Sequence, residues 1–284
     1  MKSSHPDSVA HALLESVDTA LGLIDRKSAV SDDGAHEARR QLKRARAALR
    51  LLKPSLEDDV YQRENASLRD AARVISPLRD ARAQVDLLVA LRRRYPAALP
   101  FGDIAPLNTR LVHQLGQAHQ RIRPASAAVR KTIRALKESR RRLRRLADQP
   151  ASPGRIRKGL RNIYGRAQVA YEAAKSDPTP ASMHEWRKKT KCLCNAVELL
   201  ELPRRSGPEL ARKQADRLGA LLGEEHDLVV LSGTVEREAA STSPTAAWGL
   251  NLAIGDRYDR LCVKALRLGA KTYARRPKEA VAGA

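Results

Sequence analysis

The sequence predicts an all-α chain, and three observations carry that expectation. Apolar residues recur at helical spacing almost throughout, alternation of the strand type is absent, and the aromatic residues that strands favour number only nine in 284 positions. The first helix, at about residues 7–27, sets Ala10, Leu13, Leu14, Val17 and Leu21 on one face. The second, about 34–53, does the same with Ala38, Leu42, Ala45, Leu49 and Leu52 and stops at Pro54. Prolines then mark the joints, because a proline inside a helix removes a hydrogen bond and clashes with the preceding turn. They place helices at about 57–75 and 78–94 on either side of Pro77, at 106–122 between Pro106 and Pro124, and at 125–148 before Pro150. Ser152 and Pro153 open a helix at about 154–175, which Asp177 and Pro178 close. Ser182, three residues ahead of Glu185 as in a capping box, opens the next at about 181–201. Helices at about 208–223, 226–240 and 246–275 occupy the stretch from Pro208 past Pro244.

An internal repeat organises these helices. HEARRQLKRAR, residues 36–46, returns as HEWRKKTKCLC, residues 184–194, displaced by 148 positions. A second block follows each copy: Arg79 of SPLRDARAQVDLL lies 43 residues after His36, and His226 of GEEHDLVVLSG lies 42 after His184. Two matched pairs at matched separations predict two pseudo-symmetric four-helix bundles related by the repeat. They are a half at 1–148 and a half at 154–284, joined near 148–154.

Charge narrows the function. Fifty-four Lys and Arg against 32 Asp and Glu give a net charge of +22, which calls for an anionic partner. Three cysteines are an odd number, and two of them, Cys192 and Cys194, lie two apart on one helix, so a disulfide framework is excluded. The start of the chain has no apolar run of signal-peptide length, and no stretch approaches the roughly 20 apolar residues of a membrane span. The expectation is a reduced, cytoplasmic, soluble protein that does not enter membranes.

The candidate site is the repeated helix itself. Turning about 100° per residue from His36 brings Arg39, Arg40 and Lys43 within about 60° of it and Arg46 to about 80°. His184, Arg187, Lys188 and Lys191 repeat this stripe, over a floor of Trp186, Leu193, Val197 and Leu200. Like charges three and four residues apart repel, so an outside partner must offset them. One such stripe reads most simply as a solvated face. Two, each with a histidine at the same place and interrupted only by Glu37 or Glu185, read as walls of a shared cleft for a long polyanion. Arg157, Arg161 and Arg166, at about helical spacing, extend that charge, whereas the run at 139–148 reads as an outer patch. An approaching phosphate would favour the charged form of His36 and His184, while His226 reads as structural or cleft-lining at a helix start. Zinc ranks below anion binding, because Cys192 and Cys194 stand about 200° apart on their helix. No Walker or dinucleotide loop, GxSxG motif or Asp-rich cluster is present, so neither an enzyme nor a cofactor is expected.

Through HEARRQLKRARAALRLL (36–52), the segment 160–201 and LGALLGEEHDLVVL (218–231), the chain resembles the CHAD family of helical domains named for their histidines. The resemblance implies two four-helix bundles with pseudo-twofold symmetry, binding of inorganic polyphosphate on a central basic surface, and association with polyphosphate granules. Carried over, the ligand residues are His36, Arg39, Arg40, Lys43, Arg44 and Arg46 in one half and His184, Arg187, Lys188 and Lys191 in the other. Arg79 and His226, in the blocks that follow, join the expected binding set. Cys192, Cys194 and Asn195 stand where the second copy usually has Arg, Arg and Tyr, so the second half is expected to bind more weakly. Arg82 replaces an acidic residue expected after Arg79. The ExExK signature of the triphosphate-cleaving CYTH domains often fused to this family is absent, so that activity is not transferred. The competing reading is an RNA or DNA backbone binder, against which the few scattered aromatics argue weakly.

Overall fold

The computed structural model describes residues 6–25, 30–147, 151–200, 208–238 and 242–282. Among the described residues there are helices and no strands. In order they are α1 (Pro6–Ile24), α2 (Asp32–Leu52), a 3₁₀ turn (Lys53–Ser55), α3 (Asp58–Arg94), α4 (Phe101–Arg121), α5 (Ala127–Ala147), α6 (Pro153–Ser176), α7 (Pro180–Leu199), α8 (Pro208–Arg237), α9 (Pro244–Thr272) and α10 (Pro277–Ala280). Residues 148–150 of the expected joint, and the ends of the helices expected to reach 27, 148, 201 and 240, lie outside the described residues.

The all-α class stands, and several boundaries are corrected. Pro77 does not divide α3, which runs through it. Pro77 is exposed, so its missing N–H leaves a carbonyl that water can reach, and the Ser76 hydroxyl donates to the Ala72 carbonyl at 2.8 Å one turn back. The break expected between 223 and 226 is also absent, and α8 is continuous. Leu218, Leu222, Glu225, Leu228, Leu231 and Val235 are all buried at three- or four-residue spacing, a single stripe that one glycine, Gly223, does not interrupt. Pro106 lies inside α4, which begins at Phe101. Ser152 caps α6 as expected, accepting from the Arg155 N–H. The capping box of Ser182 and Glu185 does not form. Thr179 is the cap of α7 and accepts from the Ser182 N–H at 3.3 Å, while Glu185 turns to Lys188 and Lys189.

The apolar faces read from the sequence are the buried ones: Ala38, Leu42, Ala45 and Leu49 are fully covered, as is Trp186. Two apolar clusters result. The larger draws on α1, α2, α5, α6 and α7 with the first half of α3. The smaller gathers the C-terminal parts of α3 and α8 with the N-terminal parts of α4 and α9. Both take residues from either side of residue 150, so the interior is shared across the chain. α2 is the hub and packs on α1, α3, α6 and α7.

Two local devices hold helices in place around α2. Glu64 of α3, with its side chain fully buried, accepts from the Ser139 hydroxyl at 2.6 Å and from two Arg142 nitrogens at 2.6 and 3.2 Å on α5. Burial pulls its pKa up, and these bonds with that from Arg63 outweigh burial and keep it below the usual carboxylate value. Gly159 of α6 meets the end of α2 so closely that a Cβ there would sit 2.2 Å from the Leu51 carbonyl oxygen. That contact sets the distance between two helices that line the site. No helix among the described residues is long and apolar enough to cross a membrane.

Candidate functional site

Helices α2 and α7, the two copies of the repeated stripe, pack against each other. Between them, α3 and α6, opens a groove of about 610 Å³. Its lining contains twelve Lys and Arg side chains and one carboxylate, Glu185. From α2 come Arg39, Lys43, Arg46 and Arg50, continued by Lys53. From α7 come His184, Arg187, Lys188, Lys189 and Lys191, while α3 gives Arg69 and Arg73 and α6 gives Arg166. Half of these cations have local carboxylates: Arg39 has Asp80, Lys53 has Asp58, Arg69 and Arg73 have Asp70, and Lys188 and Lys189 have Glu185. Lys43, Arg46, Arg50, Arg166, Arg187 and Lys191 have none within ion-pair distance among the described residues.

A chamber of about 110 Å³ adjoins the groove, sharing Arg39, His184 and Arg187 with it and adding Arg79, Asp80, His226 and Asp227. Here two aspartates stand against three arginines, so the charge is largely offset. Arg79 makes two parallel hydrogen bonds to Asp227, both 3.0 Å, which tie α3 to α8, and Arg39 donates to Asp80 at 3.2 Å. His184 and His226 meet Nδ1 to Nδ1 at 3.1 Å, so one ring donates and the other accepts. Burial lowers both, with Lys188 and Arg187 adding to it at His184; burial, Arg187 and His184 take His226 down to about 4. The pair is therefore neutral at physiological pH.

The groove is far more positive, and burial together with neighbouring cations lowers the pKa of several of its side chains. Burial, followed by Arg39, Arg187, Arg79 and Lys191, pushes the Lys43 ammonium down to about 7. Burial and Arg50 bring Arg46 to about 10, and burial lowers Arg39 and Arg187. Beneath Arg187, Glu225 is 1% exposed with Oε2 lacking a hydrogen-bond partner, and burial raises it to about 7. Cations crowded together and partly desolvated hold an anion well, because the cost of their assembly is already met in the fold. No three His, Cys, Asp or Glu side chains converge as metal ligands would among the described residues.

Of the residues expected from sequence, the groove gathers Arg39, Lys43, Arg46, Arg166, His184, Arg187, Lys188 and Lys191. Arg79 and His226 face the chamber instead, engaged by Asp227 and His184. His36 is exposed at the edge, where burial, Arg79, Arg39 and Lys43 lower its pKa and Glu37 opposes them. Arg40 and Arg44 lie outside the lining, because the stripe that faces the groove is centred near Arg39, Lys43, Arg46 and Arg50, about 100° and 140° from them round α2. Arg40 is bound by Glu37 at 2.7 and 2.8 Å. Arg157 and Arg161 likewise point about 140° and 100° away from Asn162 of the lining, while Arg166 stands within about 40° of it. Sequence reasoning missed Arg50, Lys53, Arg69, Arg73 and Lys189. Arg50 continues the α2 stripe four residues past Arg46, and Arg69, Arg73 and Ser76 recur at helical spacing, so the signal was there.

A sequence model of the CHAD domain matches residues 12–236. The chain belongs to the CHAD domain family. The CHAD fold recurs in PptA from Streptomyces chartreusis, 17% identical, with a TM-score of 0.67 over 96% of this chain and 100% of that one. It recurs also in the CHAD domain from the plant Ricinus communis, 17% identical, with a TM-score of 0.61 over 99% of this chain and 91% of that one. At such identities the likeness establishes the fold. No curated protein matches the sequence.

Proposed function

We propose that this CHAD domain is a non-catalytic binding module for inorganic polyphosphate, seated in the groove between α2 and α7, and that it associates through it with polyphosphate granules. The observation that carries this reading is the set of six groove cations without a carboxylate partner among the described residues. A flexible chain with a negative charge on each internal phosphate supplies what they lack, and guanidinium forks grip successive phosphates by charge-assisted hydrogen bonds. Nucleic acid offers the same backbone charge but also bases in need of stacking. Tyr61 is the one Phe, Tyr or Trp in the lining, and the Lys53 ammonium lies over its ring at 4.9 Å, which leaves no open platform. That favours polyphosphate over RNA or DNA. Competition at physiological salt tests the choice: long-chain polyphosphate is expected to displace a labelled RNA pool at equal phosphate concentration, and the reverse order would overturn the reading.

Binding is also expected to weaken as pH rises from about 6 to about 9. Lys43 loses its charge through about 7 and Glu225 gains one over the same range, so both changes act against an anion. Calorimetry in buffers of different ionisation enthalpy should register proton uptake on binding near pH 7.5, reduced in Lys43→Met. Uptake unchanged in that variant would remove Lys43 from the site.

A further inference from the structure

Helix α5 takes no part in the groove, yet it is the most one-sidedly basic helix of the chain. Arg130, Arg134, Lys137, Arg141, Arg144 and Arg145 are all exposed and fall within about 60° of Arg141 round the helix. They form a ladder about 22 Å long at 1.5 Å per residue. Few carboxylates answer it: Lys137 pairs with Asp25, and Glu138 alone shares the arc, about 60° from Arg141. Arg69, Arg73 and Arg82 on α3 and Arg260 on α9 each have an Asp within one turn. On α5 the one acidic residue is Glu138, and the carboxylates that reach the helix from elsewhere bind Lys137 (Asp25), Arg140 (Asp18) and Arg142 (Glu64). Arg134, Arg141, Arg144 and Arg145 have no carboxylate partner among the described residues. Repulsion between neighbours three and four apart recurs along the whole ladder, a cost that a merely soluble surface avoids by alternating signs.

The ladder faces away from the groove. α3 lies between them: Glu64 meets α5, while the α3 residues of the groove, from Tyr61 and Ala72 to Arg69 and Arg73, stand about 60° to 180° round α3 from Glu64. We propose that the outer face of α5 is a second polyphosphate-binding surface, so that one molecule holds two strands, or two stretches of one strand, on separate faces and bridges them. The inference rests on the polyphosphate reading of the groove and goes beyond it. A straight, shallow row of cations fits an extended polyanion without bases, since α5 contains no aromatic residue on which a base could stack. Bridging turns modest contacts into avidity through effective concentration.

Two variants separate the surfaces. Arg134→Gln/Arg141→Gln/Arg145→Gln changes exposed positions to a good helix former, so the circular-dichroism spectrum and Tm should hold. Lys43→Ala/Arg187→Ala/Lys191→Ala empties the groove. Titrated with a short polyphosphate of about ten units, the wild type is expected to take up two equivalents and the α5 variant one, with the retained affinity within about threefold; the salt slope of the lost step reports roughly 0.7 per contact. With long-chain polyphosphate, the wild type scatters light as clusters form and the α5 variant does not. One equivalent in the wild type, or scattering indifferent to the α5 substitutions, overturns the proposal, as does an α5 variant deficient in clustering duplex RNA or anionic vesicles but not polyphosphate. If the groove variant keeps all binding while the α5 variant loses it, the groove reading fails and the two-surface bridge falls with it, leaving α5 as a single site; if the groove variant loses one equivalent and the α5 variant none, the groove reading stands and the α5 proposal fails.

Discussion

Replacing Lys43, Arg187 and Lys191 together with alanine is expected to lower affinity for long-chain polyphosphate by at least about 100-fold at physiological salt. A hydrogen bond to a charged group contributes about 1.5–3 kcal/mol. Three such contacts, even heavily non-additive, exceed the 2.7 kcal/mol or so that a hundredfold represents. These three are chosen because none has a carboxylate within ion-pair distance among the described residues. The same substitution at Arg40, which Glu37 already holds, should change affinity less than about threefold. The logarithmic salt dependence should flatten by about 2, from roughly 0.7 per lost phosphate contact. Fluorescence titration across a salt series measures both. Equal slopes in wild type and variant would place the anion elsewhere on the molecule.

Gly159→Ala is expected to damage both stability and binding. The new methyl carbon would lie 2.2 Å from the Leu51 carbonyl oxygen, a backbone atom that cannot rotate aside, so α6 must move away from α2. Overpacking of this kind costs about 1–3 kcal/mol, partly offset by alanine's better helix propensity of about 1 kcal/mol. Gly159 lines the groove, so the same displacement carries Asn162 and Arg166 away from Lys43 and Arg46. Gly249→Ala serves as the control: its Cβ would meet the Ala98 carbonyl at 2.0 Å, in a part of the molecule remote from the groove lining. Both variants should melt earlier, and only Gly159→Ala should also lose affinity, by roughly tenfold, about 1.4 kcal/mol. Matching affinities in the two would dissociate the α2–α6 spacing from binding.

What could be read in advance follows from what kind of signal each feature leaves. Helical periodicity is local, so the buried faces of α2 and α7 and the cationic stripes were legible residue by residue. Proline and glycine were over-weighted as breaks, because tertiary burial of one continuous stripe carries α8 past Gly223 and solvent exposure makes Pro77 tolerable in α3. The rotation of a helix about its axis is set by its neighbours. Hence the stripe on α2, centred on His36 from sequence, lies nearer Arg46, which moved Arg40 out; Arg50, only about 40° from His36, was within reach of the sequence and was overlooked. The carboxylates were the hardest to place. Asp80 and Asp227 stand in visible blocks, but that one holds Arg39 and the other reaches across 148 residues to Arg79 is a property of packing alone.

That long-range clasp has a consequence for biosynthesis. The first four helices leave the ribosome carrying only one bank of the channel, and Asp227 arrives some 150 residues after the guanidinium it grips. If the groove binds as proposed, it is completed only when α6 and α7 dock on α2 and α3, late in synthesis.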